Sequence, residues 1–91
     1  MDFTHKPDQI ILYSKDHYIL AQITFPEMDQ NTVKIDHTYV DPSLRGQGIA
    51  GQLMEEVVQT LREQHKTAVP TCSFAETWFE RHPDAHDVLK K

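Results

Sequence analysis

The stretch "VDPSLRGQGIAGQLMEEVV", residues 40 to 58, sets Arg45, Gly46, Gln47 and Gly48 directly ahead of an amphipathic run. Without a Cβ, Gly46 and Gly48 give the backbone angles other residues avoid and let a ligand approach closely. Successive amides can then face one point. The first turn of the following helix adds unpaired N–H groups and a partial positive charge, so that point favours an anion such as a phosphate. Arg45 adds a full charge. Spacing alone leaves a second reading open, a tight strand-to-helix turn whose glycines only relieve strain. The loop is not a nucleotide-triphosphate P-loop, because no Gly-Lys-Ser/Thr follows, and it lacks the preceding parallel strand of a dinucleotide-binding unit.

Two further side chains carry chemistry. His37 is of the one residue type that titrates near neutrality, with Asp36 beside it, and its alternative is a histidine hydrogen-bonded within a sheet. Cys72, the single cysteine, precedes a helix start, a setting that activates thiols, or it is a small core residue. Ser73 reads as a helix cap, because no base and orienting group for a serine nucleophile are recognisable around it. Among six histidines only His82 and His86 stand four apart, and Pro83 between them breaks the helix that would join them. No metal site is expected.

The elements that position these residues follow from periodicity. "QIILYS" and "YILAQITF" are β-rich runs joined by "KDH" as a hairpin, and "VKIDHTYV" reads as one half-buried strand with Val33, Ile35, His37 and Tyr39 on one face. Pro42 stops it. From Gly48 to about His65 the apolar positions Ile49, Leu53, Met54, Val57, Val58 and Leu61 recur at helical spacing, with Glu55 and Glu56 early and Arg62 and Lys66 late. "TAVPTC" is a further strand, and Ser73 with Glu76 forms a capping-box pattern for a helix "AETWFERH", with Trp78 or Phe79 packed on the sheet. The crossover from Val40 to Cys72 requires parallel strands, whereas the N-terminal strands pair antiparallel.

Ninety-one residues with 38% hydrophobic content supply one core, so residues 1–91 are expected to form a single domain. A net charge of −5 and a pI near 5.6 argue against nucleic-acid or polybasic membrane partners. The apolar stretches fall short of the roughly 20 residues a membrane span needs, and "MDFTHKPDQ" has no signal-peptide core. A cytoplasmic chain, monomeric or weakly dimeric, with small-molecule or protein partners, is the expectation.

The run "YVDPSLRGQGIAGQLMEEVV" resembles the acetyl-coenzyme A signature of the GNAT superfamily of N-acetyltransferases: Arg or Gln, two residues, Gly, one residue, then Gly or Ala. Arg45, Gly48 and Ala50 satisfy it. Together with "PTCSFAETWFERHP" it is similar to the small YjdJ-type branch over nearly the whole chain. The resemblance implies an α+β, minimal GNAT-like fold with a mixed, mostly antiparallel sheet and two main helices. It also implies acetyl-coenzyme A as cosubstrate, without a metal. The amides of Arg45, Gly46, Gln47, Gly48, Ile49 and Ala50 would hold its pyrophosphate, and the strand edge at Tyr39 and Val40 its pantetheine arm and thioester oxygen. His37 becomes the candidate base, and Cys72 a covalent acyl acceptor or a proton donor to the leaving thiolate. The acceptor is an unidentified amine. Larger members have helices where this chain has "SKDH" and a tyrosine absent from "AETWFERH", so a non-catalytic module binding coenzyme A or acyl-coenzyme A, or a protein-interaction domain, is the rival reading.

Overall fold

The computed structural model describes residues 2–91. Three strands open the chain: β1 (Thr4–Lys6), β2 (Gln9–Tyr13) and β3 (Ile19–Thr24). The β2–β3 turn has a local cause. Ser14 Oγ accepts the N–H groups of Asp16 and Tyr18 at 3.2 and 3.0 Å, and His17, at φ 66°, takes the left-handed position such a turn needs. β1 was not expected; its three residues, Thr-His-Lys, are polar and exposed, so no alternation marks them.

The segment read as one strand, residues 33 to 40, is two: β4 (Thr32–Ile35) and β5 (His37–Val40). The correction has a countable origin. Thr24 lies opposite His37 and Glu27 opposite Val33, so three residues, 34 to 36, face two, 25 and 26. The extra residue is a β-bulge at Asp36, which shifts side-chain alternation by one. Val33 and Ile35 are buried, but past the bulge Thr38 and Val40 turn inward, while His37 and Tyr39 turn out. Pairing partners change as well. β5 closes an antiparallel sheet of order β1-β2-β3-β5, whereas β4 pairs in parallel with β6 (Thr67–Pro70).

Between them runs α1 (Ile49–Gln64), capped by Gly48 and ended by His65 in the left-handed conformation. It buries the six apolar positions its periodicity marked, packing Leu53, Met54, Val57 and Leu61 against Ile10, Ala21 and Ile23 of the sheet. Each fully buried aliphatic side chain contributes on the order of 1.5–3 kcal/mol. No helix among the described residues is long and apolar enough to cross a membrane.

The second helix, α2, spans Ser73–Arg81 and its N-cap is Cys72, not Ser73. The capping box does not form, because the amides of Thr71 and Cys72 both donate to the Ile35 carbonyl, at 2.9 and 3.3 Å, and start the helix one residue early. Trp78 and Phe79 are both buried, edge to face at 5.2 Å. The tail forms a 3-10 turn, Pro83–Val88, that buries Ala85 and Val88. Arg62 clamps it, forking onto both Asp87 oxygens at 2.9 and 2.8 Å and reaching the Asp84 carbonyl at 3.0 Å.

The hydrogen bonds from Arg62 hold the Asp87 carboxyl below the usual carboxylate range. A carboxyl lowered on folding stabilises above its unfolded value, about 3.9, and loses that contribution as pH falls through the lower folded value. Asp87→Asn should therefore lower the thermal midpoint near neutral pH, with the gap to the parent closing below about pH 3.9. A gap independent of pH would contradict the clamp.

Candidate functional site

β5 ends at a 3-10 turn, Pro42–Leu44, after which Arg45 returns to extended backbone and donates from Nε to the Val40 carbonyl at 3.4 Å. Gly46 and Gly48 have φ of 84° and 75°, the left-handed region that side chains resist. A Cβ built on either would meet no protein atom within 4 Å, so the loop is open on that side. None of the amides from Gly46 to Gly51 reaches a backbone acceptor, and the first intrahelical bond is Gln52 N–H to Gly48 C=O at 3.1 Å. Of the residues from Gly46 to Gly51, all but Gln47 line a cleft of about 320 Å³ between the loop, Val40, Leu44 and Phe74. Ile49 is 1% exposed and packs in the core beneath the cleft. Gln47 is exposed and lies outside the cleft lining, while Ala50 and Gly51 form part of it.

The neighbouring strand edge is open. Asp41 N–H donates to Leu20 C=O at 2.7 Å, and bonded pairs alternate along an antiparallel ladder, so Tyr39–Gln22 and His37–Thr24 are the bonded pairs. The N–H groups of Thr38 and Val40 therefore point away from β3. The expectation for Tyr39 is corrected: its amide belongs to the ladder and the residue is exposed on the far face.

The parting of the strands starts at Ile35, whose carbonyl also accepts the Thr71 hydroxyl at 3.3 Å. Beyond it β5 follows β3 while the chain at Cys72 turns into α2. Cys72 is half-buried at this fork, with Sγ 3.7 Å from Thr38 Oγ1. Thr38, which this places beside Cys72, was not among the residues singled out from the sequence, because an unbroken strand would have turned it away. His37 is on the opposite face from Thr38 and exposed, and Asp36, also exposed, accepts the Thr24 hydroxyl. The structure brings Cys72 to the open edge and does not bring His37 to Cys72. His82 and His86 are engaged with the carbonyls of Trp78 and Phe79, at 2.7 and 2.6 Å.

A helix N-terminus with unbonded amides, set beside a strand edge released by a bulge, defines a class of protein. The family described as GCN5-related N-acetyl-transferase matches residues 10–88, and the chain belongs to it. It is similar over its length to a GCN5-like protein from Staphylococcus aureus solved by NMR. The two are 30% identical, with a TM-score of 0.82 covering 98% of this chain and 87% of that one. Tetrahymena GCN5 shares the fold at 14% identity, with a TM-score of 0.65 over 80% of this chain and 48% of that one. A GNAT family acetyltransferase from Elizabethkingia anophelis with acetyl-CoA bound shares it at 18% identity and a TM-score of 0.62, over 82% and 51%. The chain thus spans about half the length of these two larger proteins. No curated protein sequence matches it.

Because the Gly48 Cβ position is empty, the cost of a small side chain there is backbone strain alone. Gly48→Ala should destabilise by about 1–2 kcal/mol in urea unfolding with the slope unchanged. Unchanged stability would mean that the left-handed cap is not required.

Proposed function

We propose that the protein is a small N-acetyltransferase that takes its acetyl group from acetyl-coenzyme A and passes it to an amine. The observation that carries this reading is the run of unbonded amides from Gly46 to Gly51, in residues that, all but Gln47, line the same cleft as Val40. These residues fit the cosubstrate: the amides, the α1 N-terminus and Arg45 suit a pyrophosphate, and the Cβ positions of Gly46 and Gly48 face open space. The free N–H groups of Thr38 and Val40 suit the amide-bearing pantetheine arm and the thioester oxygen.

In the reaction the amine lone pair attacks the thioester carbon. A C–N bond forms, the C–S bond breaks, the amine gives up a proton and the departing thiolate takes one. Cys72 stands at the fork where the strands part, with the Thr38 hydroxyl beside its sulfur. It serves either as proton donor to the thiolate or as a covalent relay that accepts the acetyl group and then yields it to the amine. His37, the expected base, is exposed on the face opposite Thr38 and Cys72, so we assign it no part in the transfer. A lone thiol and an acidic surface suit a reducing, cytoplasmic setting, with the protein a monomer or weak homodimer.

The rival is a module that binds coenzyme A without catalysis, favoured by the short connection between β2 and β3. Incubation with acetyl-coenzyme A and a panel of amines, following free thiol, separates the two. Amine-dependent thiol release is expected, and tight binding without it would establish the module. In the same assay Cys72→Ala should lose about tenfold or more in turnover, the usual scale for removing a proton-transfer group or nucleophile. Full activity in that variant would remove Cys72 from the chemistry.

A further inference from the structure

Asp41 donates nothing to the cleft, yet the turn that delivers Arg45, Gly46 and Gly48 to it is fastened through this residue. Its N–H closes the β3–β5 ladder on Leu20 C=O at 2.7 Å, and its own carbonyl accepts the Leu44 N–H at 2.9 Å. Its carboxylate accepts the Ser43 N–H at 3.0 Å and the Ser43 hydroxyl, both on Oδ2, and the Tyr39 hydroxyl at 3.4 Å on Oδ1. One side chain thus joins the last strand residues to the 3-10 turn from which Arg45 departs. Its position is otherwise a poor one for a carboxylate, since it lies a few residues from a loop suited to an anion. The donors offset this: the Ser43 hydroxyl and amide, then Tyr39 and Arg45, hold the carboxyl below its ordinary range and spread its charge.

We propose that Asp41 is a positioning residue for the cosubstrate, a clamp that fixes the turn so that the loop amides and Arg45 converge before the pyrophosphate arrives. The inference rests on the acetyl-coenzyme A reading. Preorganisation of this kind acts on binding, because the cost of ordering the loop is met during folding. The charge of the clamp is dispensable; its acceptor geometry is not. An asparagine can keep its oxygen toward Ser43 and present its amide to the Tyr39 oxygen, whereas an alanine leaves the Ser43 amide and hydroxyl without their acceptor.

The test measures acetyl-coenzyme A affinity by calorimetry for the parent, Asp41→Ala, Asp41→Asn and Ser43→Ala, with far-UV circular dichroism of each. Asp41→Ala should bind about tenfold more weakly, the scale of a lost side-chain cap, and Asp41→Asn within about twofold of the parent. Ser43→Ala, which leaves the Ser43 amide bond in place, should fall between them and guards against an Asp41→Ala chain that fails to fold. In steady state the KM for acetyl-coenzyme A should rise in Asp41→Ala while kcat holds, a split that general destabilisation does not give. Parent-like binding by Asp41→Ala, or equal losses in Asp41→Asn and Asp41→Ala, would overturn the clamp. A parent protein that does not bind acetyl-coenzyme A would instead overturn the cosubstrate reading itself.

Discussion

The structure depends on one extra residue. With Asp36 inserted between Ile35 and His37, a single nine-residue extended segment cannot stay in one register, and its halves take different partners: β4 joins β6, and β5 joins β3. Had the strand run unbroken, β6 would continue alongside it and cover the edge at Thr38 and Val40. The bulge therefore leaves N–H groups unpaired in the middle of a small protein, where they would ordinarily be bonded. It also selects the face each side chain meets, sending Thr38 to Cys72 and His37 to solvent.

Everything on the helical side exploits that opening. α1 buries a continuous apolar face on β2 and β3, which anchors its axis so that its N-terminus lies where the strands separate. Gly48 in the left-handed conformation lets the chain enter the helix without a side-chain cap, leaving the first-turn donors free instead of satisfied. At the other end the order is reversed: His65 and Lys66 donate back into the last turn, and Arg62 holds the C-terminal turn. One end of the helix is closed by its own chain, and the other keeps its donors unbonded.

The sequence made much of this legible because α1 and the glycine loop are local. Helical spacing from Ile49 to Leu61 and the Gly48 start are found in the fold, and the expected parallel pairing is found for β4 with β6 but not for β5, the strand that enters the crossover at Val40. The errors cluster where distant partners decide. Nothing in "VKIDHTYV" announces a bulge, since Asp36 fits a polar position of an ordinary alternating strand; only the count of residues facing Phe25 and Pro26 reveals it. From that one slip came the misplacement of His37 and Tyr39 and the omission of Thr38. Ser73 looked like a cap by type, but the Ile35 carbonyl, far back in the sequence, captures the two amides before it and hands the cap to Cys72. β1, short and polar, is held by pairing rather than propensity.

The central claim is that the unbonded amides of the loop and of the bulge-released edge act as one surface for coenzyme A. Amide chemical-shift mapping by NMR during titration with coenzyme A tests it most directly. The largest changes should fall on Gly46 to Gly51 together with Thr38 and Val40, while the ladder amides of His37 and Tyr39 move less. Changes centred on the far face of the sheet, around Gln9, Gln22 and His37, or no saturable change at all, would contradict it.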